Sequence, residues 1–148
     1  MTSDDVVKRF NHSALFERLG LHIYHLDDHS LRLHLNDDNP CHRGGFGVLE
    51  DIGINGSVIS AAMEAAIGLC GLNALGGMPS GVIEFSMKLL RIVRHKPAWI
   101  EAQIDRKSQQ LVFVSARLYS ARDSVCATAT GIVTRGYHVK PVQHHQNE

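Results

Sequence analysis

The stretch from Asn55 to Leu72, NGSVISAAMEAAIGLCGL, limits this chain more than any other, because it is almost wholly apolar and yet carries one carboxylate, Glu64. Val58, Ile59, Ala61, Ala62, Ala65, Ala66, Leu69 and Cys70 surround every side of a helix rather than one stripe, which predicts a helix enclosed by a core. An unpartnered ionised carboxyl in such a place costs several kcal/mol even after relaxation. Glu64 is therefore expected to be paired or at work. Asn55-Gly56-Ser57 opens the helix with capping side chains and unpaired N–H groups at its positive end, and Glu64 follows about two turns later.

The flanking sequence says what encloses that helix. Asp4 to Leu19 has apolar residues at roughly helical spacing and predicts a short lead-in helix that stops at Gly20. Leu21 to Leu35 alternates around an Asp27-Asp28-His29-Ser30 turn, the pattern of a hairpin. Asn36 to Gly53 is rich in Asn, Asp, Pro and Gly and too long for a plain connector, which suggests a functional loop. After a glycine-rich link from Gly71 to Gly81, the chain turns strand-like. Ile83, Phe85, Met87 and Leu89 face one way and Glu84, Ser86 and Lys88 the other, with a bulge expected at Leu89-Leu90. Ala98 to Asp105, Leu111 to Tyr119 and Val125 to Thr134 supply three more strands.

The order of these elements is α+β: an antiparallel sheet curled around one long helix, with a short N-terminal helix. Trp99, Leu111 and Phe113 fall on the outer face, so a second subunit is expected to cover part of it. Residues 1–135 form one domain, and 136–148 have too little apolar content to fold and read as a flexible tail.

Composition narrows the class. The 148 residues suit one domain with a real core. Fifteen basic residues balance fifteen acidic ones, so no long-range field draws the chain to nucleic acid or an anionic membrane. Cys41, Cys70 and Cys126 are too few and scattered for a disulfide framework or zinc site, and ten histidines show no metal-ligand spacing. The N-terminus, MTSDDVVKRF, is unlike a secretory signal, and no apolar run approaches a membrane span. These features suit a soluble cytoplasmic protein with no membrane partner.

The run Asn55-Gly56-Ser57-Val58-Ile59-Ser60-Ala61-Ala62-Met63-Glu64-Ala65-Ala66 resembles the helix signature of the hotdog-fold acyl-CoA thioesterases, where His-Gly-Gly opens the helix and an Asp or Glu follows two turns on. Glu84 to Arg91 is similar to that family's next strand, and Cys126-Ala127-Thr128-Ala129-Thr130-Gly131 to its last. The likeness spans Leu31 to Arg135 and is closest to the phenylacetate-degradation and 4-hydroxybenzoyl-CoA branches.

The resemblance implies hydrolysis of an acyl- or aryl-CoA by a homodimer or a dimer-of-dimers tetramer, with no cofactor and no metal. Glu64 corresponds to the catalytic acid, as nucleophile or general base, and the Gly56 N–H to the oxyanion donor. Asn55 stands for the common His, and Ser57 for the second Gly. Gly68 falls where relatives carry a Ser or Thr that positions water or acid, and Ser86 is the candidate to replace it. Upstream, where the family offers Gln or Asn, this chain has Glu50 and Asp51, with Asn39 further back.

Lys88 and Arg91, with Arg94, Lys96, Arg106, Lys107, His42 and His95, are candidates for coenzyme A phosphates, although exposed basic residues are more often plain surface. Asn55 and Ser57 are most simply helix caps, and Glu64 could equally pair with an arginine or cap a buried group. Met63, Ile67, Phe85 and Met87 are candidates to set pocket depth, which leaves the acyl chain open. The rival functions are a non-catalytic acyl-CoA-binding module and an acyl-thioester hydratase or dehydratase; the helix start lacks the histidine that the latter pairs with a carboxylate.

Overall fold

The computed structural model describes residues 1–35, 39–49, 52–77, 79–94, 96–121 and 123–136. Glu50, Asp51, His95 and the tail from 137 onward, all named above, lie outside the described residues.

The lead-in is two helices rather than one. Thr2 and Asp5 form a reciprocal capping box that starts α1 (Ser3–Asn11), and the Ser13 hydroxyl accepts the Phe16 N–H to start α2 (Ala14–Leu19). A second cap inside the apolar pattern, at Ser13, starts a separate helix, which spacing alone does not register. Gly20 ends α2 in the left-handed conformation, as expected.

Strands β1 (Leu21–Leu26) and β2 (Ser30–Leu35) pair antiparallel. The Asp27 carboxylate ties their turn by accepting the N–H groups of His29 and Ser30, each at 2.8 Å. A 3-10 turn over Pro40–His42 and a four-residue helical turn, α3 (Gly44–Gly47), follow. Next come α4 (Gly56–Ala74), β3 (Ser80–Leu89), β4 (Ala98–Lys107), β5 (Leu111–Tyr119) and β6 (Val125–Arg135). The strands form one antiparallel sheet in the order β1-β2-β4-β5-β6-β3. This is the hotdog architecture, six strands wrapped around α4.

Inward residues of every strand meet α4. Leu31, Leu33, Ile100, Val112, Val114, Leu118 and Val133 are buried from the sheet side, and Val58, Ile59, Met63, Ile67 and Cys70 from the helix side. Gly71 permits the close approach of the two layers, since a Cβ there would lie 2.5 Å from Val133 Cγ2 and 2.6 Å from Val133 Cβ. The helix accordingly runs through Gly71 to Ala74 instead of breaking into a link at that glycine. At 19 residues α4 has the length and composition of a membrane span, contrary to the reading that no run approaches one, but it is packed inside the sheet of its own chain.

The expectation that α4 is enclosed on every side is corrected by one open face. Ser57 and Glu64 are exposed, and Ser60, Ala61, Ala65, Gly68 and Leu72 half-buried, at the spacing of a single stripe. A sheet covers one side of a helix and bends around its flanks. The small residues of the far side, which look like core in sequence, are left uncovered in the single chain.

β3 also differs from its alternation. A register shift falls between Val82 and Glu84, and just past Leu89 the N–H groups of Leu90 and Arg91 both bond to the Cys126 carbonyl, at 2.8 and 3.1 Å, the bulge expected there. The first irregularity turns Ile83 outward, 62% exposed, while Val82, Phe85 and Met87 pack toward the helix. Trp99, Leu111 and Phe113 lie on the outer face as expected. Trp99 is covered there by Tyr119, stacked at 5.6 Å, and by the Arg32 guanidinium 5.1 Å from its ring centre.

Candidate active site

Asn55 organises the start of α4. Its Oδ1 accepts the Val58 N–H at 3.0 Å, and its Nδ2 donates to the carbonyls of Cys41 (2.6 Å) and Arg43 (2.9 Å). The Asn55 backbone N–H donates to the His42 carbonyl at 2.9 Å. Both amide hydrogens are therefore spent on the preceding loop, and the side chain is a cap and strut without a free donor for a substrate. A histidine at this position could not fill all three contacts, which explains an asparagine here in physical terms.

The same arrangement leaves donors free next door. Ile59 N–H returns to the Asn55 carbonyl, as a first helical turn requires. The N–H groups of Gly56 and Ser57 come before any intrahelical acceptor, and none among the described residues takes them. They sit at the positive end of a 19-residue helix, where partial charge favours an anion or a developing oxyanion.

These donors open on a cleft of about 670 Å³. One wall is the start of α4, with Gly56, Ser57, Ile59 and Ser60; the facing wall is Met87, Leu89, Leu90, Arg91 and Ile92. The floor is Ile52 to Ile54, held against the second wall by an Ile54 N–H bond to the Val93 carbonyl at 3.1 Å. Gly53 makes that contact possible, because its φ is +112° and a Cβ would stand 2.6 Å from both Ile92 Cγ2 and the Val93 carbonyl oxygen. Phe46 forms the rim, 88% exposed and itself in the left-handed region at φ 59°. An apolar trough ending on free peptide donors can seat an acyl chain with its carbonyl oxygen at the helix terminus.

The remaining candidates divide. Ser57 and Arg91 line the cleft. Glu64 does not; it is exposed on the open stripe of α4, in contrast to the greasy enclosure its sequence context suggests, and no described residue bonds to it. Gly68 lies one turn beyond it on that stripe. Ser86 and Lys88 point from the opposite face of β3 into a separate trough of about 290 Å³ shared with Arg117, Thr128 and Thr130. Ser86 is thus unable to stand in for the missing side chain at Gly68, because strand alternation sends it away from the helix.

Arg94, Lys96, Arg106 and Lys107 are exposed and outside the cleft, and His42 is buried with its Nε2 on the Leu19 carbonyl. Of the proposed depth-setting residues only Met87 reaches the cleft; Met63 and Ile67 are wholly buried in the core, and Phe85 packs beside them. Ser60 was not singled out by sequence. It reads there as one small residue among many, and the signal that could have found it is its position midway between Gly56 and Glu64, four residues from each.

A family model, the thioesterase superfamily, matches residues 53–127. No curated protein matches the chain in sequence. Among solved structures, the chain is similar to the Escherichia coli PaaI protein from the phenylacetic acid degradation operon at TM-score 0.75 and 14% identity, covering 89% of this chain and 91% of that one. It is similar to a thioesterase family protein from Silicibacter pomeroyi (TM-score 0.73, 16% identity, 89% and 96% covered). A Shewanella oneidensis protein related to the thioesterase superfamily gives a TM-score of 0.72 at 17% identity, with 92% and 100% covered. At these identities the likeness is one of fold. The family model spans half of the chain, from the floor of the cleft through α4 and into β6, and by that match the chain belongs to the thioesterase superfamily.

Proposed function

We propose that the protein is an acyl-CoA thioesterase, a hydrolase that splits the thioester of an acyl- or aryl-CoA. The observation that carries this reading is the apolar cleft ending on the unpaired Gly56 N–H at the start of α4. A thioester carbonyl seated there gains a donor that strengthens as negative charge develops on its oxygen, an effect worth on the order of hundredfold or more in rate. Glu64 supplies the carboxylate that attacks the carbonyl or activates water. Asn55 holds the helix start and its donors in place through the loop. Arg91 at the cleft is the cation best placed for a coenzyme A phosphate, with Ser57 beside the thioester.

A homodimer, or a tetramer of two dimers, fits this chemistry. The open stripe of α4 and the unpaired edge of β3 leave Glu64 exposed in the single chain. A second copy seated against them would dehydrate the acid and close the cleft. The cytoplasm, with its coenzyme A thioesters, is the proposed compartment, and neither a metal nor a cofactor is needed.

One rival has an observation in its favour. Glu64 stands outside the cleft and Gly68 offers no side chain, which suits a module that binds acyl-CoA without cleaving it. Thiol release from a panel of aliphatic and aryl-CoA substrates decides. Release abolished in Glu64→Ala supports the hydrolase, and binding without release supports the module. Addition of water to an enoyl-CoA would instead indicate a hydratase.

A further inference from the structure

We infer that the outer face of the sheet carries a second binding site, a trough for a nucleoside phosphate, on the side of the strands away from α4. The site stands whether or not the cleft hydrolyses a thioester.

Strand register builds the trough. Arg32, Glu101, Arg117, Thr128 and Lys88 lie opposite one another on β2, β4, β5, β6 and β3, and the next outward row is Ser30, Gln103, Ser115, Thr130 and Ser86. Long side chains therefore stand beside mostly short ones. The gap is a trough of about 580 Å³ whose lining includes Arg32, Glu101, Gln103, Ser115, Arg117 and Tyr119. It runs on, past Gln103, Ser115 and Arg117, into the smaller trough of Ser86 and Lys88. On the far side of the arginine row, His34, Trp99 and Tyr119 make an aromatic row in the same register.

The charges of the trough are not spent on one another. Glu101 sits between two arginines, yet among the described residues it forms no ion pair with either, and the Arg117 guanidinium has no hydrogen-bond partner. Arg32 gives its Nε–H to His34 Nε2 at 3.1 Å and keeps its terminal N–H groups. Neighbouring strands are about 4.8 Å apart, so the two arginine positions are about 10 Å apart with a carboxylate between them. Cations alone would suit any anion. A carboxylate among them repels a ligand that is anionic throughout and favours one that also donates N–H groups. Gln103 adds an amide that both gives and accepts, and Tyr119 adds a ring. Phosphate on the guanidiniums, an exocyclic amine on Glu101, a ring edge on Gln103 and a planar ring against Tyr119 together describe an adenine nucleotide. A free nucleotide and the nucleotide end of coenzyme A both present that chemistry.

Trp99 is the chain's single tryptophan and stacks on Tyr119, so its emission reports from the edge of the trough. The test titrates adenosine monophosphate into the full chain, with Trp99 emission and calorimetry read together. Saturable binding that changes the emission is expected, tighter than that of adenosine or inorganic phosphate alone. Arg117→Gln, an exposed substitution, is expected to weaken binding by about tenfold or more and to leave the unliganded emission and the thermal melt as in the wild type. Gln103→Ala is expected to weaken adenosine monophosphate but not phosphate. Competition by coenzyme A would show that the trough takes its nucleotide end too, and independent binding that the free nucleotide is the ligand. Absence of binding overturns the inference, as does binding that leaves Trp99 emission unchanged or that Arg117→Gln does not weaken. Emission that answers to dilution of the protein but not to the nucleotide gives the face to a second copy of the chain. A response to a single-stranded oligonucleotide alone gives it to nucleic acid, and either result overturns the inference. No arm reads thiol release, so failure here and failure of the thioesterase reading are distinct.

Discussion

The Asn55 side-chain amide donates to the Arg43 carbonyl at 2.9 Å, across the loop that becomes the rim of the cleft. With the bonds to Cys41 and Val58, it locks the loop to the helix start, so removing it should cost more than an ordinary cap. Asn55→Ala is expected to destabilise by about 2–4 kcal/mol, of which a cap alone is about 1 kcal/mol. Asn55→Ser, with a capping oxygen but no amide, should fall between it and the wild type. Urea denaturation monitored by circular dichroism measures both.

Glu64 should show the opposite balance. It bonds to no described residue and would be dehydrated in the proposed dimer, so Glu64→Gln is expected to leave stability unchanged or raise it. Thiol release should nevertheless drop by about a hundredfold or more, the loss typical of a missing general base. Melting curves beside a thiol-detection assay on the same preparation check the two halves together.

Gly71 sets two effects against each other. Alanine in mid-helix gains about 1 kcal/mol over glycine, but its methyl would meet Val133 atoms at 2.5 to 2.9 Å, and overpacking costs about 1–3 kcal/mol. The sheet backbone behind Val133 has neighbours on both sides and yields little, so the clash should win. Gly71→Ala is expected to lower the melting temperature, measurable by differential scanning calorimetry.

Asp27 predicts an acid dependence. The His29 backbone N–H, then the His25 ring and the Ser30 backbone N–H, hold its carboxyl far below the ordinary 3.8. A pKa depressed by folding contributes stability that is complete above the unfolded value and is lost as pH falls toward the folded one. Wild type should therefore lose more stability between pH 5 and pH 2 than Asp27→Asn does, within the carboxylate titration range of about pH 5 to 1. Thermal melts across that range check the sign.

The three thiols should separate by reactivity. Cys41 is exposed, whereas Cys70 and Cys126 are buried, and burial pushes the Cys70 thiol up to about 12. A thiol reagent at neutral pH should label Cys41 rapidly in the native protein and the other two only on unfolding. Peptide mapping after a short exposure identifies the site.

Much of the architecture was legible because it follows from period. Alternation at Leu31, Leu33 and Leu35, at Ala98 to Ile104 and along Leu111 to Tyr119 marks the faces the sheet presents to α4 and to the outside. Gly20 and Asn55 mark helix ends for local steric and hydrogen-bonding reasons, and both act as read. Small residues carry no such direction. The same alanines and glycines of α4 serve as core against the sheet and as an open stripe away from it. That ambiguity hid the exposure of Glu64 and the placement of Ser60.

The sequence by itself determined that one apolar helix would be wrapped by antiparallel strands and that its first turn would offer unpaired donors, since period and capping act within a few residues. Only the tertiary structure decided which side of that helix stays open, that Ser86 and Lys88 face away from it, and that Asn55 gives its amide to the loop. Those outcomes depend on where the bulge in β3 turns the strand and on how closely Gly71 lets the layers approach, and such contacts join residues far apart in the chain.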